Sequence, residues 1–123
     1  MKNVLIVEDS KAIRSMMRVS LEETGGYFFV EAGNGFEALR ALPTRRFDLI
    51  ITDINMPDIN GLELISYVKS NETYRTIPLI IVSTEKSDED KKRGMALGAV
   101  GYVVKPFTKQ ELQDMVANAL KEK

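Results

Sequence analysis

Three carboxylates and one amine sit where three apolar runs end. Glu8 and Asp9 follow Val4-Leu5-Ile6-Val7, Asp53 follows Leu49 to Thr52, and Lys105 follows Val100 to Val104. If those runs are strands of one open parallel sheet, the groups converge. Ligands in such sheets sit outside the carboxyl ends of the strands, where the winding direction reverses. Crowded carboxylates repel one another, and without a counter-ion at least one has its pKa raised. A hard divalent cation resolves the repulsion. Mg²⁺ takes octahedral oxygen ligands, keeps some of its waters, and is held by one or two carboxylates together with a substrate phosphate. A main-chain carbonyl in the turn Asp53-Ile54-Asn55 can add a further donor. Lys105, just before Pro106, brings a compact cation to the same cleft. Ser83, at the end of Leu79 to Val82, can donate a hydrogen bond. A carboxylate nucleophile, a divalent metal and a lysine together neutralise the oxygens of a phosphoryl group in transit. Taken singly, acids at strand ends also read as helix caps or solvated loop residues, and a lone serine or lysine as polar surface.

The elements that would position these groups are short apolar runs alternating with amphipathic segments. The runs just named are rich in β-branched residues and lack strict alternation, which is how strands covered on both faces read. Phe28-Phe29-Val30 makes a more polar fifth strand, suited to an edge. Between the strands, Ala12, Ile13, Met16, Met17 and Leu21 recur at helical steps until Gly25-Gly26 ends the run. Phe36, Ala38, Leu39 and Leu42 predict a shorter helix that Pro43 closes, and Leu62, Leu64, Ile65 and Val68 predict a third. A fourth passes through Lys91 and Met95 to Leu97 and stops before Gly98. The last runs from Lys109 to Leu120, with Thr108 as N-cap and Glu111 completing a capping box. Five β-α units with short linkers predict a doubly wound five-stranded parallel sheet with helices on both faces. Periodicity alone does not give the strand order.

The 123 residues fit one domain, expected to span 1–123. Such a length buries enough surface for a core without metals or disulfides. Cysteine is absent, which removes thiolate chemistry and agrees with a reducing cytoplasm. Eighteen acids against seventeen bases leave a net charge of -1, with no overall cationic field for nucleic acid or an anionic membrane. The first apolar run is too short for a signal peptide, and none reaches the length of a membrane helix. A soluble cytoplasmic domain with neither nucleic acid binding nor membrane insertion is the expectation.

Val7-Glu8-Asp9, Asp53-Ile54-Asn55-Met56-Pro57 with Gly61, Ser83, Tyr102 and Lys105-Pro106-Phe107 together resemble the receiver domain of two-component response regulators. The resemblance covers essentially the whole chain and is strongest to the stand-alone chemotaxis receivers. It implies the flavodoxin-like strand order 2-1-3-4-5. It implies a phosphoaspartate at Asp53 and Mg²⁺, with Mn²⁺ as a substitute, on Glu8, Asp9, Asp53 and the Asn55 main-chain carbonyl. It implies that Lys105 and Ser83 stabilise the phosphoryl group, that Ser83 and Tyr102 form a switch, and that a cis bond joins Lys105 to Pro106. Asn55 and Glu85 match positions that influence water access and so the lifetime of the acyl phosphate. Thr84 departs from the Ala or Gly common there, and its branched side chain is expected to slow entry to the site. Output is expected through the fourth helix, fifth strand and fifth helix, with Lys86, Lys91, Lys92, Tyr102, Lys109 and Gln113. The implied partners are a sensor histidine kinase or a histidine phosphotransfer protein, a downstream target such as a flagellar switch component, and a phosphatase.

Other readings share parts of this pattern. A Mg²⁺-dependent phosphatase that forms an aspartyl-phosphate carries a second Asp two positions after its nucleophile, where this chain has Asn55. A flavin or dinucleotide binder needs a Gly/Ser/Thr-rich first turn, where Glu8-Asp9 puts negative charge. A phosphorelay intermediary and the receiver domain of a longer regulator use the same site residues. The chain is expected to catalyse only its own phosphorylation and dephosphorylation.

Overall fold

The computed structural model describes residues 1–84 and 88–121. Five strands, β1 (Lys2–Val7), β2 (Tyr27–Ala32), β3 (Leu49–Thr52), β4 (Leu79–Ser83) and β5 (Gly101–Val104), form one parallel sheet in the order β2-β1-β3-β4-β5. Helices α1 (Lys11–Glu22), α2 (Gly35–Ala41), α3 (Gly61–Ser70), α4 (Asp88–Leu97) and α5 (Lys109–Lys121) alternate with them. The sequence-based fold class and the 2-1-3-4-5 order are thus observed.

The two-residue period of the strands sorts the core into two halves. Leu5, Val7, Ile50, Leu79 and Ile81 pack in one cluster with Ala38 of α2 and Leu64, Ile65 and Val68 of α3. Val4, Ile6, Leu49, Ile51, Ile80 and Val82 pack in the other with Met17 and Leu21 of α1 and Leu112, Val116 and Ala119 of α5. This is why the central strands read as continuous apolar runs: each residue meets a helix layer whichever way it points. β3 is buried at every position. On the β2 edge, Phe28 is exposed beneath the Arg45 guanidinium, 4.3 Å from its ring centre.

A local boundary departs from the sequence reading at Pro43. Pro43 does not follow the last turn of α2. It sits inside a 3-10 turn, Leu42–Thr44, where its missing N–H costs nothing because it lies in the first positions of that turn. The fourth helix, expected to pass through Lys91 and Met95, spans Asp88–Leu97, with Asp88, Glu89 and Asp90 in a first turn whose dipole favours negative charge. The capping box on α5 is formed: Glu111 N–H donates to Thr108 Oγ1 at 3.0 Å, and Thr108 N–H donates to Glu111 Oε1 at 2.7 Å.

At the β2 edge, Glu31 accepts from Arg18 Nη1 at 2.7 Å and from Arg14 Nε at 2.9 Å. The Arg18 bond above all, then the Arg14 bond, holds its carboxyl below the ordinary glutamate range. A depressed carboxylate stabilises the fold above its unfolded pKa, and that contribution is lost as pH falls through the folded value. Arg18 is 42% exposed, so water screens part of the attraction. Glu31→Gln is expected to cost about 1 kcal/mol at pH 7, a difference that shrinks in urea unfolding of both proteins as pH falls below the ordinary glutamate range.

Candidate functional site

The register of the sheet brings the carboxylates together. Val7 pairs with Thr52 across β1 and β3, so the residues that follow, Glu8 and Asp53, leave the sheet side by side. Because β2 and β3 flank β1, this is also where the winding reverses. Oxygens of Glu8, Asp9 and Asp53 lie within 4.8 Å of one another, with Glu8 and Asp53 buried and Asp9 exposed at the mouth. The site therefore opens to solvent on the Asp9 side.

Lys105 reaches the cluster from farther away. β5 stands two strands from β3, roughly 10 Å at ordinary strand spacing, and the lysine stem reaches over the end of β4 to meet the carboxylates part-way. Its ammonium donates to Glu8 Oε1 at 2.7 Å and to Asp53 Oδ2 at 3.3 Å. Lys105 N–H donates to Ser83 O at 2.8 Å, extending the β4–β5 ladder to the residue that carries the amine. The Lys105-Pro106 bond is cis. Burial pushes the Glu8 carboxyl up, helped by the Asp53 charge and opposed by Lys105 and the Ser10 N–H. Lys105 is thus the counter-charge that lets both buried carboxylates sit in one cleft.

The turn after β3 is built to hold Asp53 still. Ile54 N–H donates to Asp53 Oδ1 at 2.8 Å, Asp53 N–H donates to Val7 O at 3.1 Å, and Thr52 Oγ1 donates to Asp53 O at 3.0 Å. Ile54 and Met56 are buried, while Asn55 between them is exposed. Asp58 takes φ 68°, a left-handed conformation that aspartate tolerates. The chain then enters α3 through a capping box of Asn60 and Glu63. Gly61 N–H donates to Ile54 O at 2.8 Å, so the start of α3 lies against the turn after β3.

The remaining expected residues divide. Ser83 is fully buried at the end of β4, and Thr84 after it is exposed at the rim. Thr84 lines a hollow beside the site with Ile13, Met16, Pro106 and Phe107. Tyr102 is half-buried and packs against the core cluster under α2 to α4. Lys91 and Lys92 are exposed on α4. Glu85 and Lys86 lie outside the described residues. Lys109 and Gln113 do not join Tyr102: Lys109 Nζ pairs with Glu23 Oε1 at 2.9 Å, and Gln113 Nε2 donates to Ser20 O at 2.7 Å. Both side chains tie α5 to α1, because their helical phase turns them away from the β5 edge.

The response regulator receiver domain matches residues 4–117 of this chain. The chain belongs to that family. A chemotaxis protein CheY homolog of Campylobacter jejuni is 36% identical over 119 residues, covering 95% of this chain and 91% of that protein. The structure of chemotaxis response regulator CheY4 of Vibrio cholerae has a TM-score of 0.90 and 39% identity, covering 98% of this chain and 99% of that one. The signal receiver domain of a signal transduction histidine kinase from Syntrophus aciditrophicus has a TM-score of 0.89 and 36% identity, covering 98% and 91%. This receiver domain is a phosphoryl-accepting module, and its acidic cluster suits phosphorylation of an aspartate. The activity of such a domain is confined to its own phosphorylation and dephosphorylation. The cluster is also capable of holding a divalent metal. No helix among the described residues is long and apolar enough to cross a membrane.

One residue escaped the sequence reading. Arg14 was not singled out, yet its Nη1 donates to the main-chain carbonyl of Glu8 at 2.8 Å. Nothing in spacing or residue type signals that contact.

Proposed function

We propose that this domain takes a phosphoryl group from a phosphohistidine onto Asp53 and thereby changes its affinity for a protein target. The observation that supports this best is that Asp53 is fixed at Oδ1 by Ile54 while Oδ2 faces the ammonium of Lys105. The carboxylate attacks phosphorus, a P–O bond forms, and the P–N bond to the donor imidazole breaks. Lys105, already at Asp53, bonds a phosphoryl oxygen and offsets the charge that builds there. The donor set of Glu8, Asp9 and Asp53 is all hard oxygen, which suits Mg²⁺ with Mn²⁺ as a substitute; the Asn55 carbonyl would complete it. When bound there, Mg²⁺ supplies positive charge to the phosphoryl oxygens. Ser83 would donate to a phosphoryl oxygen and Tyr102 would follow it inward, a two-state element of the kind that coupling requires.

The partners this reading calls for are a sensor histidine kinase or histidine phosphotransfer protein as donor, a phosphatase, and a target that senses phosphorylation. Similarity to chemotaxis proteins supports a cytoplasmic role in chemotaxis, with a flagellar switch component as target met through α4, β5 and α5, including Tyr102, Lys91 and Lys92. Similarity to the receiver domain of a histidine kinase supports a second reading, a relay that passes phosphate to another histidine. Residues 1–123 act as one domain in either case.

The test is intact-mass measurement after acetyl phosphate. A single phosphoryl adduct with Mg²⁺ and none with chelator is the expected result; no adduct in Mg²⁺ overturns the reading. In the same assay, Thr84→Ala is expected to raise the phosphorylation rate by about 3-fold by removing a branched side chain from the rim, roughly 0.7 kcal/mol of barrier. Identical stopped-flow rates would remove Thr84 from the account.

A further inference from the structure

Arg14 takes no part in the chemistry proposed for the cleft, yet its guanidinium is largely shielded and bonded on two sides. Its side chain is 16% exposed, against 42% for Arg18, the other arginine on Glu31. The guanidinium bridges two partners of different kinds. Nε donates to the Glu31 carboxylate on β2, and Nη1 donates to the main-chain carbonyl of Glu8, one residue past the end of β1. The space for it comes from Gly33, where a Cβ would stand 3.3 Å from Nη1.

Around Glu8 every polar group of the residue is then engaged. Its N–H donates to Ala32 O at 3.0 Å, its Oε2 accepts from Ser10 N–H at 3.0 Å, and its Oε1 accepts from Lys105. Its carbonyl is the end taken by Arg14. That carbonyl belongs to the peptide joining Glu8 to Asp9, so its direction sets how the two carboxylates face each other and Asp53. A bond from α1, braced on β2, fixes that peptide from outside the cleft.

We propose that Arg14 is a positioning residue for the cation-binding turn, holding the Glu8–Asp9 peptide in the orientation in which both carboxylates address one ion. The part that concerns the ion rests on the reading of the cleft given above; the part that concerns the turn does not. Partners that orient metal ligands typically contribute 10- to 100-fold in affinity. Charge alone predicts the opposite sign. Removing a cation beside an acidic cluster tightens the hold on Mg²⁺, whereas loosening the turn weakens it. The direction of the change therefore separates geometry from electrostatics.

The experiment uses the full chain, its Arg14→Gln, Arg14→Lys and Arg18→Gln variants, and Mg²⁺ alone as the probe, followed by amide NMR. Arg18→Gln also strips a bond from Glu31, at 2.7 Å, and touches nothing in the turn, so it serves as the control for stability. Arg14→Gln is expected to bind Mg²⁺ about 10-fold more weakly, with Arg14→Lys weakened in the same direction although it keeps the charge. Arg18→Gln is expected to bind as wild type. In metal-free buffer, exchange of the Ser10 amide is expected to be about 10-fold faster in Arg14→Gln and unchanged in Arg18→Gln, because loss of the Arg14 clamp frees the turn that holds it. Ser10 exchange in Arg14→Gln equal to that of the control overturns the proposal, as does unchanged or tighter Mg²⁺ binding. A wild-type protein that binds no Mg²⁺ overturns the cation reading of the cleft instead, and the metal-free exchange still decides whether Arg14 fixes the turn.

Discussion

Asp53→Asn is expected to take up no phosphoryl group from acetyl phosphate in Mg²⁺, under conditions where the wild type gains one. The amide oxygen of asparagine is a poor nucleophile and brings no negative charge to a cation, so both requirements of the step fail together. The fold is expected to survive. Asn can accept the Ile54 N–H as Oδ1 does now, and the Glu8–Lys105 pair at 2.7 Å remains. Removing the Asp53 charge also relieves Glu8, whose carboxyl that charge helps push up. Stability in urea is therefore expected to change by no more than about 1 kcal/mol, and Mg²⁺ affinity to fall by about 10-fold or more. A phosphorylated Asp53→Asn protein, with the adduct mapped to Asp9, would transfer the acceptor role and sink the proposed assignment.

Gly61→Ala is expected to be the most destabilising single methyl in the molecule. A Cβ at Gly61 would overlap the carbonyl oxygen of Asp53, and it would stand 2.8 Å from both the Asp53 carbonyl carbon and Ile54 Cα. These are main-chain atoms, so no rotamer change relieves the contact; either α3 lifts off or the acceptor turn is displaced. The expected cost is about 3 kcal/mol or more, a fall in Tm of roughly 10–15 °C for a domain of this size. Phosphorylation is expected to drop in the protein that remains folded, since the displaced atoms belong to the acceptor itself. A Gly61→Ala protein with wild-type Tm and wild-type phosphorylation rate would show that α3 can retreat freely.

These two cases mark what could and could not be read from the chain. That Asp53 joins an acidic cluster was an expectation carried by three acids at two strand ends and by the resemblance, since one such acid alone also reads as a cap or a solvated loop residue. That Glu8 stands beside it was not legible from periodicity: the Val7–Thr52 pairing depends on β1 and β3 being neighbours, and only the resemblance supplied that order. Gly61 was noted as part of a motif, but the reason for it is a contact with main-chain atoms eight residues earlier, which no local pattern encodes. Lys109 and Gln113 were expected on the output face from the resemblance, which does not say which neighbour each side chain of α5 meets. In α5 the neighbour is α1, joined through Glu23 and Ser20. Arg14 was invisible for the opposite reason: its important partner is a carbonyl, and every residue has one.

The burial of β3 on both faces has a consequence for recognition. Asp53 is 6% exposed and the strand before it has no open side, so a donor can approach only end-on, along the axis of the strand. A partner large enough to deliver phosphate must rest on the rim around that opening, near Asp9, Asn55, Thr84 and Pro106, all of them exposed. Reaction and partner contact therefore share one opening, with the buried carboxylates beneath it and exposed residues around it. The buried groups at the strand ends carry the proposed reaction, and the exposed loop residues that crown them meet the partner.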